Sequence, residues 1–155
     1  MTFSSWFEKL DQLVIFRAKR LSPAALRFSL CVLFFWFGAL KVLGVSPAGP
    51  LVEALAGQMI PGILPATFNA YFGILEGIIG LLFLIPTPRV TRVVIGLLFF
   101  HMGTTFLPLI LLPQMTWIAP FVPTMEGQYI LKNLVILASA ITIISQTEPL
   151  EKMKK

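Results

Sequence analysis

Thiol, imidazole and charge are all scarce in this chain. Its one cysteine, Cys31, cannot supply a disulfide, a CxxC redox centre or a cysteine-ligated metal, so dithiol chemistry carried by this chain alone is excluded. Its one histidine, His101, lacks the further nitrogen, sulfur or oxygen donors that a metal or haem site needs at regular spacing. Charged residues make up 12% of the 155 positions against 57% hydrophobic, with a mean hydropathy of +0.88, and that balance excludes a water-soluble core. Lys and Arg are missing altogether from residues 44–66 and 113–126. The net charge of +5 comes with neither a basic groove nor a recognition motif, so nucleic acid is excluded as a partner and anionic lipid headgroups are implied.

What the chain has instead is four apolar runs, residues 24–43, 67–85, 93–112 and 127–145. At 1.5 Å per residue each crosses a hydrocarbon layer of ~30 Å. The first follows a charged leader with no small-residue cleavage site behind it, so it reads as a span and not as a signal peptide. Lys9, Arg17, Lys19, Arg20 and Arg27 precede or open the first run, Arg89 and Arg92 separate the second from the third, and Lys152, Lys154 and Lys155 follow the fourth. By the positive-inside rule both termini are cytoplasmic and the two longer loops face outward. The expectation is an all-α integral membrane four-helix bundle over residues 23–146, set by default in a bacterial inner membrane. It carries an N-terminal amphipathic interfacial helix over residues 1–22 and a basic cytoplasmic tail over residues 147–155. There are no internal repeats.

In the leader, Phe3, Trp6, Phe7, Leu10, Leu13 and Val14 recur at helical spacing opposite Glu8, Lys9, Asp11 and Gln12, the pattern of a helix lying in the cytoplasmic interface. Ser5 and Glu8 fit a capping box, and Ile15 with Phe16 suggests added packing against the bundle. Ser22 and Pro23 are expected to break this helix and start the first span at a new angle. In the first outer loop, residues 50–59 read as a short helix with Pro50 at its first position; in the second, residues 113–124 with Trp117 and Phe121 look membrane-hugging. The two are expected to roof the outer mouth. The short turn at Pro86, Thr87 and Pro88 makes the second and third spans antiparallel neighbours.

Polar groups within the spans define the candidate site, because a charge at bilayer depth costs ~2.5–3.5 kcal/mol on insertion scales and asks for a partner or a purpose. Glu76 and His101 lie ~13 and ~16 Å from the outer ends of adjacent spans, within reach of one another. Gly73 and Gly77 flank Glu76 in a GxxxG pattern that admits a neighbouring helix closely. Glu76 is either a buried clasp between helices or a proton-exchanging or ligand-binding carboxylate. His101 is either a packing histidine or a proton and ligand contact. Gln128, Lys132, Ser139, Thr142 and Gln146 share one face of the fourth span, expected to face the interior with Lys132 in the outer half. Glu76, Glu53 and Glu126 are its candidate counter-ions. Lys41 reads as a snorkelling anchor that also borders the site. The resulting expectation is an outer-half pocket lined by Lys41, Glu76, His101, Gln128 and Lys132, with Asn133, Ser139, Glu126 and Glu53 secondary. Cys31 reads as a small packing residue, and the cluster from Phe34 to Phe37 as lipid contact or core, with a quinone headgroup between such rings as the functional alternative.

Three segments carry a family likeness: Trp36-Phe37-Gly38-Ala39-Leu40-Lys41, Gly73-Ile74-Leu75-Glu76-Gly77-Ile78-Ile79-Gly80, and Gly127-Gln128-Tyr129-Ile130-Leu131-Lys132-Asn133. In order and spacing they resemble the DoxX family of small four-helix membrane proteins and the related inner-membrane proteins of the bacterial reactive-chlorine response, over Trp36 to Ser145. The resemblance implies a four-helix bundle and draws attention to Lys41, Glu76 and Lys132. Relatives range from thiosulfate:quinone oxidoreductase subunits through accessory partners of redox enzymes to a receptor-assembly chaperone. Asn133 stands where several relatives carry Asp. The lack of paired cysteines sets the chain apart from the vitamin K epoxide reductase type of bundle.

With no redox-active residue in the pocket, the leading expectation is an accessory or co-catalytic subunit in membrane redox or stress physiology. Quinone is its possible contact, and a partner subunit or a homo-oligomer its setting. A small proton-coupled carrier using Glu76, His101 and Lys132, and an assembly chaperone or scaffold, are the alternatives.

Overall fold

Proline writes the element boundaries. In the computed structural model, which describes residues 3–60 and 62–149, five helices open on a proline in their first turn: α2 (Gly49–Met59), α3 (Pro65–Leu82), α4 (Pro88–Phe106), α5 (Pro108–Leu111) and α6 (Pro113–Thr116). Proline's fixed φ suits a first turn, where a missing N–H costs nothing. The remaining elements are α1 (Phe3–Val42), the strands β1 (Trp117–Ala119) and β2 (Val122–Pro123), and α7 (Met125–Ser145). Four segments are long and apolar enough to cross a membrane: Trp6–Val42, Pro65–Leu82, Pro88–Leu111 and Met125–Ser145. The protein is a helical, multi-pass integral membrane protein.

These helices pack cyclically, α1 on α3, α3 on α4, α4 on α7 and α7 on α1. Their shared core joins Leu30, Cys31 and Phe34 of α1 to Ile79 of α3, Val94, Leu98 and Met102 of α4 and Ala140 and Ile143 of α7, with Phe83 just past α3. Cys31 is buried there, as expected of a packing residue. The closest seam is α1 against α3. A Cβ on Gly38 would stand 2.5 Å from the Gly73 carbonyl oxygen, and one on Gly80 2.7 Å from the Phe35 nitrogen. Only glycine lets the two backbones approach so closely.

Three expectations about the elements need correction. The leader helix does not break at Ser22 and Pro23: α1 runs through both as one helix of 40 residues. Pro23 cannot donate to the Lys19 carbonyl one turn back, and Ser22 Oγ approaches that oxygen at 3.5 Å instead. Ile15 and Phe16 are exposed and do not pack on the helices. Helix α1 is already under way at Phe3, so Ser5 stands inside it and not at an N-cap; the Ser5 side chain and the basic tail at Lys152, Lys154 and Lys155 lie outside the described residues.

The third span starts at Pro88, five residues before the apolar run, and its regular helix ends at Phe106 because Pro108 interrupts it. Arg92 belongs to its first turns, where its guanidinium donates to the Pro88 carbonyl at 2.8 Å and the Glu148 carbonyl at 2.5 Å. The surface helix expected at residues 50–59 is present as α2, packed on α3. The second long loop departs from all-α: β1 and β2 form a short antiparallel hairpin whose tip holds Phe121 at φ 62°. Trp117 Nε1 anchors it on the Leu109 carbonyl at 2.9 Å.

Candidate functional site

Helix direction decides which charges meet. Cα–Cβ bonds tilt toward a helix N-terminus, so a side chain covers the turn that precedes it. Lys41 is level with Gly73, whose added Cβ would stand 2.7 Å from Lys41 Cβ. From there the side chain runs back along α1 toward Gly38, a residue in van der Waals range of Glu76 Cβ. Its ammonium donates to Glu76 Oε2 at 2.5 Å, and both side chains are 7% exposed. Lys41 is therefore not a snorkelling anchor but one half of a buried ion pair.

Glu76 lies eleven residues into α3, ~17 Å from its start. Its other oxygen, Oε1, is 3.1 Å from His101 Nε2 on α4, so the expected meeting of acid and imidazole holds. The ring is not aligned for a hydrogen bond: both Nε2 and Nδ1 are buried without a hydrogen-bond partner. Aromatic rings hold it in place. Phe34 meets it edge-on at 5.8 Å and Phe72 tilts over it at 4.6 Å, itself stacked on Phe68 at 5.7 Å. Lys41, Glu76 and His101 thus form a closed triad joining three membrane helices, in which cation and carboxylate offset each other's desolvation.

The fourth helix does not join it. Gln128, Lys132, Thr142 and Gln146 are exposed and Ser139 is partly so, because α7 turns Gly127, Ile130, Ala140 and Ile143 inward. Ser139 and Thr142 satisfy their hydroxyls on their own helix, donating to the Val135 and Ala138 carbonyls at 2.8 and 2.9 Å. The Lys132 ammonium rests 5.0 Å from the Tyr129 ring centre, one turn nearer the helix start. None of the candidate counter-ions reaches it: Glu76 is taken by Lys41, Glu53 is half-buried on α2, and Glu126 is exposed in the first turn of α7, where it complements the helix dipole. Asn133 is on the inner side, its amide 3.4 Å from Thr105 Oγ1 of α4.

Glu76, His101 and Lys41 are themselves enclosed, each less than a tenth exposed. A hollow of about 300 Å³ lies between α1 and α3, lined by Phe35, Gly38, Val42, Ile74 and Gly77, and another of about 380 Å³ runs along α1 over Phe28, Val32 and Trp36. Both are apolar surface grooves, and neither touches Glu76, His101 or Lys41.

Three buried polar residues escaped the sequence reading: Asn69, Thr91 and Thr116. Thr91 Oγ1 accepts from the half-buried Arg27 at 2.8 Å, tying α1 to α4 near the arginine-rich end, and Thr116 Oγ1 donates to the Leu112 carbonyl at 3.1 Å. Asn69, on the same face of α3 as Glu76 and two turns before it, is 4% exposed with its Oδ1 unpartnered beside Gly49 of α2. The seven-residue interval from Asn69 to Glu76 was the available signal. Comparison with family models, curated proteins and solved structures returns no match to this chain.

Proposed function

We propose that this chain is a non-catalytic accessory subunit of a membrane assembly, a four-helix bundle with both termini in the cytoplasm of a bacterial inner membrane. One observation carries the reading: the buried charged groups are packed against one another, while the polar stripe of α7 points away from the packed helices. A catalyst or carrier needs its reactive groups to meet a ligand, and pockets for small molecules are concave. A subunit needs its uncommitted polar groups on the outside, where interhelical hydrogen bonds form. The triad then serves to fix α1, α3 and α4 as a rigid platform.

The arginine distribution supports the orientation, with Arg27, Arg89 and Arg92 at one end and no Lys or Arg in residues 44–66 or 113–126 at the other. The exposed leader helix, with Trp6 and Phe7 beside Lys9, supports contact with anionic headgroups. The likeness to DoxX proteins is what supports membrane redox or stress physiology as the setting, and quinone as a contact.

Extraction in mild detergent, followed by mass spectrometry of bound proteins, lipids and quinones, tests the proposal. A stoichiometric partner chain is the expected result. A lone polypeptide with neither partner nor quinone overturns it.

A further inference from the structure

The outward face of α7 differs in kind from the outward faces of its neighbours. Helix α1 exposes Val32, Phe35 and Trp36, α3 exposes Ile74, Ile78 and Leu81, and α4 exposes Val93, Phe99 and Phe100. Those are surfaces for acyl chains. Helix α7 exposes Gln128, Lys132, Val135 and Thr142, with Ser139 partly exposed between them and Gln146 exposed at its C-cap. The steps along that set are four, three, four, three and four, the alternation that keeps side chains on one face of an α-helix. A stripe on one face is where a second helix can lie along the first, and hydroxyl and amide side chains are characteristic of helix contacts in membranes. Leu131, Leu134 and Ile141 flank it with apolar contacts.

Charge selects the occupant. Lys132 lies seven residues into α7, ~10 Å from its start. Among the described residues its ammonium has no carboxylate, only the Tyr129 ring. A second copy docked about a two-fold axis would set Lys132 against Lys132, so like charges oppose a symmetric pair. A lipid phosphate would answer Lys132 alone, yet the seam continues through Ser139 and Thr142 to Gln146, ~21 Å further along the helix. Resting on the accessory-subunit reading, we infer that this seam receives a transmembrane helix of a different protein. That helix carries an Asp or Glu opposite Lys132 and small or hydroxyl-bearing residues along the same face below it.

The test places a photo-crosslinking residue at Val135 in the full-length chain within its native membranes, with a second probe at Ile74 on the α3 surface. The Val135 probe is expected to give one discrete adduct, whose crosslinked peptide lies in an apolar helix containing a carboxylate within a turn. Lys132→Glu should lower its yield by at least about tenfold, and Lys132→Arg should preserve it. Unchanged helicity of Lys132→Glu by circular dichroism separates lost docking from lost folding. An adduct at twice the chain mass, adducts with lipid alone, a partner helix with no acid, or a yield indifferent to Lys132→Glu would each overturn the inference. A protein adduct at Ile74 with none at Val135 sinks this seam but leaves the accessory role standing; no protein adduct at either, with a lone chain on extraction, removes both.

Discussion

Lys41 is the second-to-last residue of α1 and Lys132 the eighth of α7, and that difference in position sends their ammonium groups opposite ways. Side chains lean toward the start of their helix, so Lys41 reaches back along α1 while Lys132 reaches toward the start of α7, on whose outward face it also stands. Depth alone suggests the reverse assignment, because Lys41 is nearer a surface. The meeting of Glu76 and His101 was legible from equal depth on adjacent spans; the identity of the lysine was not, since it depends on helix direction and on the glycine seam. The triad makes a clear energetic prediction. Removing one partner of a buried pair strands the other charge, so Glu76→Gln should destabilise the protein by ~3–5 kcal/mol, whereas Glu76→Leu combined with Lys41→Met should recover most of that loss. Thermal unfolding in detergent, followed by tryptophan fluorescence, measures both; equal destabilisation by the single and double changes would contradict the pairing. His101 answers differently, because neither ring nitrogen makes a hydrogen bond and aromatic rings surround it. His101→Phe should cost under about 1.5 kcal/mol in the same assay, as a swap of similar volume does.

Among the helices, α1 and α3 are held at a distance set by missing side chains. Gly38→Leu must push against the Gly73 carbonyl, and a loss of ~1–3 kcal/mol or more is expected in unfolding measurements. Gly77 completes the GxxxG pattern but faces open space, with nothing within 4 Å of an added Cβ. Gly77→Ala should therefore be neutral, or stabilising by up to ~1 kcal/mol from helix propensity. The motif announced a close approach without saying which glycine it requires; Gly73 and Gly80 are the ones where an added Cβ would meet α1. Element ends were misread for a related reason. Hydropathy counts Arg89 and Arg92 as loop, while Pro88 starts the helix that contains them. At Pro23 the error ran the other way. A proline well inside a helix removes one hydrogen bond, yet α1 continues, and the residues before it, Trp6 to Leu21, are all exposed. Spin labels at Gln12 and Val32, twenty residues apart, should lie ~30 Å from each other along a continuous helix. A right-angle bend at Pro23, which would lay the leader flat in the interface, shortens that to ~21 Å by the same rise per residue.

Across the whole molecule, charge asymmetry and the two ends of the packed helices coincide. The α3–α4 turn, the leader and Arg27 share one end, while α2 and the β1–β2 hairpin share the other, where residues 44–66 and 113–126 carry no Lys or Arg. Positive residues near short loops resist translocation, and five of them lie within the first 27 positions, so the leader dominates the choice of side. In a Cys31→Ser background, a cysteine at Pro120 on the exposed hairpin should react with a membrane-impermeant maleimide in intact cells, and one at Gln12 only after permeabilisation. Replacing Arg17, Lys19 and Arg20 with Gln leaves the packed helices untouched, since all three are exposed, but removes most of the bias. Labelling at Pro120 should then become partial as part of the population inserts the other way up. Labelling of Gln12 in intact cells with the native leader would invert the topology and turn α2 and the hairpin toward the cytoplasm. The Lys132 end of the α7 seam would then meet its partner from the opposite side of the membrane.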